Sequence, residues 1–205
     1  MRRVAIAATL LVLLACARRE AATADSASPS ARATDTAAPP SGTAASTAMI
    51  TLSSSAFANG APIPAAHSCD GANRSPALAW PNTPKNAASL ALLVEDPDAP
   101  RGTFIHWVLY DLPPTQTSLP EGVPKDSELG QLGGARQGKT GFGSIGYGGP
   151  CPPPGPPHHY HFRLIALDKK LGLPAGATYE QVTAAMRGHE VGTGELVGLY
   201  SRAAR

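Results

Sequence analysis

"SLALLVEDPDAPRGTFIHWVLYDLP", residues 89–113, is the stretch that decides the fold. It holds two apolar runs of strand length, 89–95 and 104–112, separated by the turn Asp96-Pro97-Asp98-Ala99-Pro100. Two prolines in that turn forbid a helix through it, because proline lacks the N–H donor and its ring clashes with the preceding turn. The second run is rich in aromatic and β-branched residues, which suit a pleated strand, and Pro113-Pro114 closes it. Downstream, "GYGGPCPPPGPPHHYHFRLIALD", 146–168, joins a glycine- and proline-rich loop to a third strand at 158–168. Strands set apart by Pro and Gly loops predict an all-β domain, an antiparallel β-sandwich.

Working outward, 49–52 reads as a first strand and 194–202 as the last. A helix is predicted over 179–187. Thr178 and Gln181 form a capping-box pair, Val182, Ala185 and Met186 supply an apolar stripe, and Gly188 fits the C-terminal stop. Helices are therefore few and short. Residues 120–157 read mostly as loop, and so long a loop inside a compact domain points to function. The composition of 146–157 suggests a rigid segment, poor in large side chains, where backbone approaches something closely.

The N-terminus is organised differently. Arg2 and Arg3 precede an apolar run, 4–15, that has the length of a signal-peptide core and is short for a membrane span. It ends Leu13-Leu14-Ala15-Cys16, which resembles a bacterial lipobox with Cys16 as the lipidated residue. Acyl chains contribute about 0.8 kcal/mol per buried CH2, so several make a firm anchor. The alternative is a plain secretory signal with an incidental cysteine. Residues 16–48 are Ala, Thr, Ser and Pro with scattered charge and no apolar period, the composition of a disordered tether. The expected organisation is a signal at 1–15, a tether at 16–48 and one domain at 49–205. The expected location is the bacterial envelope, lipid-anchored, at the outer membrane facing the periplasm. With Cys16 lipidated, Cys69 and Cys151 remain as an even pair, open either to a disulfide or to two neighbouring thiols. The net charge of +2 with dispersed Lys and Arg argues against a nucleic-acid-binding surface.

Side chains alternate along a strand. Strict alternation puts Phe104, His106, Val108 and Tyr110 on one face, with Ile105, Trp107 and Leu109 on the other. It groups His158, Tyr160, Phe162, Leu164 and Ala166, and lets Asp96 continue the face of Leu90, Leu92 and Val94. If these strands are neighbours, Asp96, His106, His158 and Tyr160 converge at one end of the sandwich. Imidazoles held charged by carboxylates, a tyrosine hydroxyl and the N–H groups of a glycine-rich loop are donors suited to an oxyanion.

Plainer roles exist for each group. His106 also suits a satisfied core histidine, and Asp96 and Asp98 are common turn formers. His159 and His161 share a strand face as a metal pair would, yet no third ligand accompanies them, so no metal is expected. Ser144 in "GFGSIGYG" lacks the Gly-x-Ser-x-Gly turn into a helix that activates a hydrolase serine, so no enzyme is expected.

The two long stretches quoted above, with "CDGANRSPALAW" (69–80), "LPEG" (119–122) and "AMRGH" (185–189), resemble the phosphatidylethanolamine-binding protein family, most closely its bacterial Raf-kinase-inhibitor-like branch. The resemblance covers essentially all of 49–205. It implies a β-sandwich with a small pocket for phosphate-type anions, including the phosphoethanolamine head group. It carries the pocket over to Asp96, His106, His158 and Tyr160, with Asp98, Pro97, Gly149 and Pro150 shaping the wall. It implies no cofactor and no required metal, and a second role for some members as inhibitors of proteases or kinases through protein contacts. Here a protease or another envelope enzyme would be the protein partner. Two features depart from the family pattern: an added Pro-Pro before His158, and His159 where arginine is common.

Overall fold

The computed structural model describes residues 47–203. The expected signal at 1–15, Cys16 and the tether up to residue 46 lie outside the described residues.

In chain order the strands are β1 (Ala48–Met49), β2 (Ser53–Ser54), β3 (Ala61–Pro62), β4 (Leu78–Ala79), β5 (Ser89–Asp96), β6 (Phe104–Leu112), β7 (Ser118–Leu119), β8 (Glu128–Leu129), β9 (Ala135–Gln137), β10 (His158–Leu167) and β11 (Glu190–Tyr200). One helix, α1 (Tyr179–Met186), precedes β11, and two single 3-10 turns lie at Ala65–His67 and Gly130–Leu132. The capping box forms as its sequence suggests: Thr178 Oγ1 accepts the Gln181 N–H, and the Gln181 side chain accepts the Thr178 N–H.

The larger sheet runs β1-β11-β10-β5-β6-β9-β8, with β3 also on β11, and a small sheet runs β2-β4-β7. Within the larger sheet the long strands pair antiparallel, but β1 and β3 both lie parallel to β11. The all-β class stands, and the sheet is mixed where alternating strands and turns predicted a purely antiparallel one. Two-residue strands carry too little pattern to reveal their direction.

β11 begins at Glu190, four residues before the predicted start. Its glycines hid it, since glycine weakens a strand. The structure shows what they are for. A Cβ on Gly194 would stand 2.3 Å from the Ile50 carbonyl oxygen, and one on Gly198 would stand 2.5 Å from the Ile63 side chain. Chain segments lie flat on β11 only because those side chains are missing. The expected loop at 120–157 likewise contains β8 and β9, strands too short to show a period.

The larger sheet is buried on both faces, which is why β5 reads as an unbroken apolar run with all eight residues buried. Leu90, Leu92, Val94, Trp107, Leu109, Phe162 and Leu164 meet Leu78, Trp80 and Leu119 from the small-sheet side. On the opposite face Leu93, Val108, Tyr110, Ile165 and Leu167 meet Val182 and Met186 of α1.

β10 therefore sits at the centre of the packing. Phe162 is fully buried, with its ring 5.6 Å from that of Phe57. Phe162→Ala should cost about 3–5 kcal/mol. Urea unfolding checks this, and a loss below ~1 kcal/mol would contradict the assignment of β10 as the core strand.

Candidate functional site

β5 ends and β10 begins at the same edge of the larger sheet, with His161 paired to Glu95 as the last rung. Asp96 and Tyr160 lie just beyond that rung. Asp96 is buried and uses both carboxylate oxygens: Oδ1 accepts the Asp98 N–H at 2.9 Å, closing the Asp-Pro-Asp turn, and Oδ2 accepts His158 Nδ1–H at 2.8 Å. A carboxylate withdrawn from water needs such partners.

His106 reaches this group by an irregularity. Val94 pairs with Trp107 and Glu95 with Ile105, so the β5–β6 register passes over His106. Strict alternation would place His106 with Val108 and Tyr110, which face α1. The inserted residue instead turns it toward the small-sheet face, where its ring meets Tyr160 edge-on at 5.0 Å. Ile105 correspondingly packs with Val108 and Tyr110 rather than with Trp107. The face assignment for β6 is thus corrected at its N-terminal half, and the correction brings His106 to the other three residues.

Asp96, His106, His158 and Tyr160 together line a cavity of about 460 Å3, closed by Phe104, Phe142, Cys151, Pro152, Pro153 and the 99–103 segment. Arg101 supplies the one Lys or Arg side chain in that lining. The other wall residues expected from the sequence stand elsewhere. Asp98 is exposed and holds His159, accepting both its N–H and its Nδ1–H, and this pairing keeps the Asp98 carboxyl below the usual carboxylate range. Gly149 and Pro150 lie behind the lining. The Gly149 N–H donates to Asn73 Oδ1 at 2.7 Å, and a Cβ there would stand 2.2 Å from the His67 carbonyl oxygen. The close approach implied by the Gly/Pro loop is therefore to the protein's own 67–73 segment.

Several contacts fasten the loop to that segment. Cys69 and Cys151 are joined by a disulfide with a Cα–Cα distance of 5.4 Å, the Cys69 N–H donates to the Pro150 carbonyl, and Tyr147 Oη–H donates to the His67 carbonyl. His159 and His161 each hold a different carboxylate, Asp98 and Glu195. Ser144 bonds within its own turn to Thr140 and is absent from the lining.

One buried atom in the cavity, Tyr160 Oη, meets no hydrogen-bond partner, and two ring nitrogens beside it make no protein hydrogen bond. Tyr160 Oη is buried and lies beside Asp96 without meeting a partner at good hydrogen-bond geometry; burial first and the nearby Asp96 charge second push its ionisation far above the usual tyrosine range. The Nδ1 atoms of His106 and His158 are bonded to Gly148 O and Asp96 Oδ2, and neither Nε2 has a protein hydrogen bond. Burial lowers the His106 pKa below the ordinary histidine value, outweighing the opposing pull of the Gly148 carbonyl and the Asp96 charge. The expected imidazolium at position 106 is thus replaced by a neutral ring near neutral pH.

Sequence reasoning missed Phe104 and Phe142. Phe142 is half exposed at the mouth, its ring 4.7 Å from that of Phe104 and 5.5 Å from that of His106. A lone aromatic between two glycines, Gly141-Phe142-Gly143, was the available signal.

The lowered His106 pKa has a consequence for stability. Unfolded chains bind a proton on this histidine below about pH 6.5, while the folded state resists it. Stability is therefore complete above that pH and falls as pH drops through the unfolded value toward the folded one. In an NMR titration the His106 ring should titrate below ~6.5, and His106→Phe should lose less stability than the parent between pH 7.5 and 5.5; a midpoint at or above the ordinary value would overturn this.

The chain matches the family model "Phosphatidylethanolamine-binding protein" across residues 53–201. It is 48% identical to a UPF0098 protein of Pyrococcus abyssi over 150 residues, 73% of this chain and 84% of that one. It is 42% identical over 153 residues to LppC of Mycobacterium tuberculosis, a candidate lipoprotein by its name, covering 74% of this chain and 72% of that one. The crystal structure of Escherichia coli YbcL, described as a member of the mammalian PEBP family, superposes with a TM-score of 0.70 at 32% identity, covering 75% of this chain and 98% of that one. With this match over most of its length and the fold to accompany it, the chain belongs to the phosphatidylethanolamine-binding protein family.

Proposed function

We propose that the protein is a non-enzymatic binder of phosphate-type anions or phosphoethanolamine and phospholipid head groups, held in the cavity formed by Asp96, His106, His158 and Tyr160. The observation that carries this reading is the grouping in one cavity of a buried unpartnered Tyr160 Oη with His106 and His158, whose Nε2 atoms make no protein hydrogen bond. A buried polar group without a partner costs about 1–3 kcal/mol. A polar ligand that bonds several such groups at once recovers that cost, and an apolar one does not. Arg101 at the rim favours an anion.

The same reading places the domain on a membrane. The Leu13-Leu14-Ala15-Cys16 sequence would give a lipidated Cys16, residues 17–48 would form the tether, and the domain would face the periplasm from the outer membrane. The lipoprotein name carried by the M. tuberculosis relative supports an envelope location.

Tyr160→Phe tests the cavity with the least disturbance, because it deletes only an oxygen that has no protein partner. The variant should fold with stability equal to or above that of the parent and bind phosphoethanolamine about tenfold more weakly, the worth of roughly one hydrogen bond. Calorimetric titration beside thermal unfolding separates the two effects, and an unchanged affinity in a folded variant would sink the assignment. For the anchor, Cys16→Ser should move the protein from the membrane fraction to the soluble one; retention in the membrane fraction would refute lipidation at that residue.

A further inference from the structure

The two cavity histidines are held in different ways. His158 Nδ1 faces a carboxylate oxygen, Asp96 Oδ2, whereas His106 Nδ1 faces a carbonyl oxygen, Gly148 O, at 2.6 Å. A carbonyl oxygen only accepts hydrogen bonds, so the His106 proton resides on Nδ1 and the neutral ring keeps a lone pair on Nε2. His106 is 3% exposed as a residue, and the rings of Phe104, Phe142 and Tyr160 lie 5.1, 5.5 and 5.0 Å from its ring. Phe142 also covers the hydrogen bond that sets the tautomer: a Cβ on Gly148 would stand 2.6 Å from the Phe142 ring, so ring and backbone are in direct contact. The ionisable groups around His106 are Asp96 on β5, His158 and Tyr160 on β10, and Arg101 at the rim. Asp96 favours a second proton on His106, while burial and His158 oppose it, and burial is the largest influence.

We propose that His106 accepts a hydrogen bond from the ligand, so that the site takes phosphates that still carry an acidic proton or an ammonium N–H and rejects oxyanions with no proton to give, such as sulfate. This rests on the phosphate-binding reading above and adds the chemical class of the ligand. Hydrogen phosphate and sulfate have the same shape and the same charge near pH 7, and differ in one P–OH proton. Hydrogen phosphate accepts from Tyr160 Oη–H and donates to His106 Nε2. Sulfate would set an oxygen lone pair against the Nε2 lone pair. Sites built around a donated hydrogen bond discriminate strongly against analogues that lack it. A phosphoethanolamine head group satisfies the same acceptor with its ammonium, so a free phosphate and a lipid head group share the chemistry.

The test is calorimetric, on the full chain bearing Cys16→Ser, at pH 7. Sodium phosphate is titrated first, then sodium sulfate at equal ionic strength and phosphoethanolamine, then each into His106→Phe, which keeps an aromatic ring and removes the acceptor. Phosphate should bind at least about tenfold more tightly than sulfate, and the preference should collapse in the variant. The comparison within the parent protein decides the matter even if the variant fails to fold. Equal affinity, or tighter sulfate, overturns the acceptor role and leaves the phosphate-binding reading standing; no heat from phosphate, sulfate or phosphoethanolamine overturns both. Vesicles of phosphatidylcholine, with and without phosphatidylethanolamine, identify the source. Retention only on vesicles containing phosphatidylethanolamine supports the acceptor role with a lipid ligand. Retention on neither, beside phosphate bound in preference to sulfate, supports it with a free one. Equal retention on pure phosphatidylcholine, whose head group has no N–H, counts against it.

Discussion

One inserted residue in the β5–β6 pairing is the constraint on which the cavity depends. With Val94 opposite Trp107 and Glu95 opposite Ile105, His106 has no partner of its own and turns to the face that holds Tyr160. An unbroken register would send it to the α1 side among Val108 and Tyr110. The sheet accepts the irregularity because the residues around it are anchored independently. Trp107 is fully buried, stacks edge-on with Tyr147 and donates its indole N–H to Gln137 Oε1, while Ile105 stays paired with Glu95. Bulges of this kind re-aim a single side chain without moving the strand.

The Gly/Pro loop completes the site indirectly. Its glycines approach other parts of the protein: Gly148 lies under Phe142 and bonds His106 through its carbonyl, and Gly149 fits against the 67–73 segment. The disulfide, the Tyr147 hydroxyl and the Cys69 N–H hold the loop to that segment. What the loop offers the cavity is a tautomer and a wall. The carbonyl of Gly148 decides which nitrogen of His106 carries the proton, and Cys151, Pro152 and Pro153 close one side. The polar groups left over are those facing inward. Each Asp96 oxygen already holds a donor, the Asp98 N–H or His158, while the two Nε2 atoms make no protein hydrogen bond.

Much of this was legible in residues 89–113 and 146–168. Apolar runs between proline turns mark β5, β6 and β10 to within a residue, and the capping pair Thr178 and Gln181 marks the start of α1. The residue types at Asp96, His106, His158 and Tyr160 mark a polar cluster following apolar faces. Less legible were β1, β3, β8 and β9, which are two or three residues long and carry no period, and the first half of β11, whose glycines answer to Ile50 and Pro84 packed upon them.

The amino-acid sequence by itself determined the class of the fold, the strands of the core and the family, because hydrophobic period and turn chemistry are local properties written in consecutive residues. Only the tertiary structure decided which face His106 takes, which of its nitrogens is protonated, that Asp98 and Gly149 support the site from outside the lining, and that Phe142 guards its mouth. Each of these is set by a partner far away in the chain. Gly148 lies 42 residues from His106 and Asp96 lies 62 from His158, and no local pattern encodes a register shift or the atom that a ring nitrogen will face.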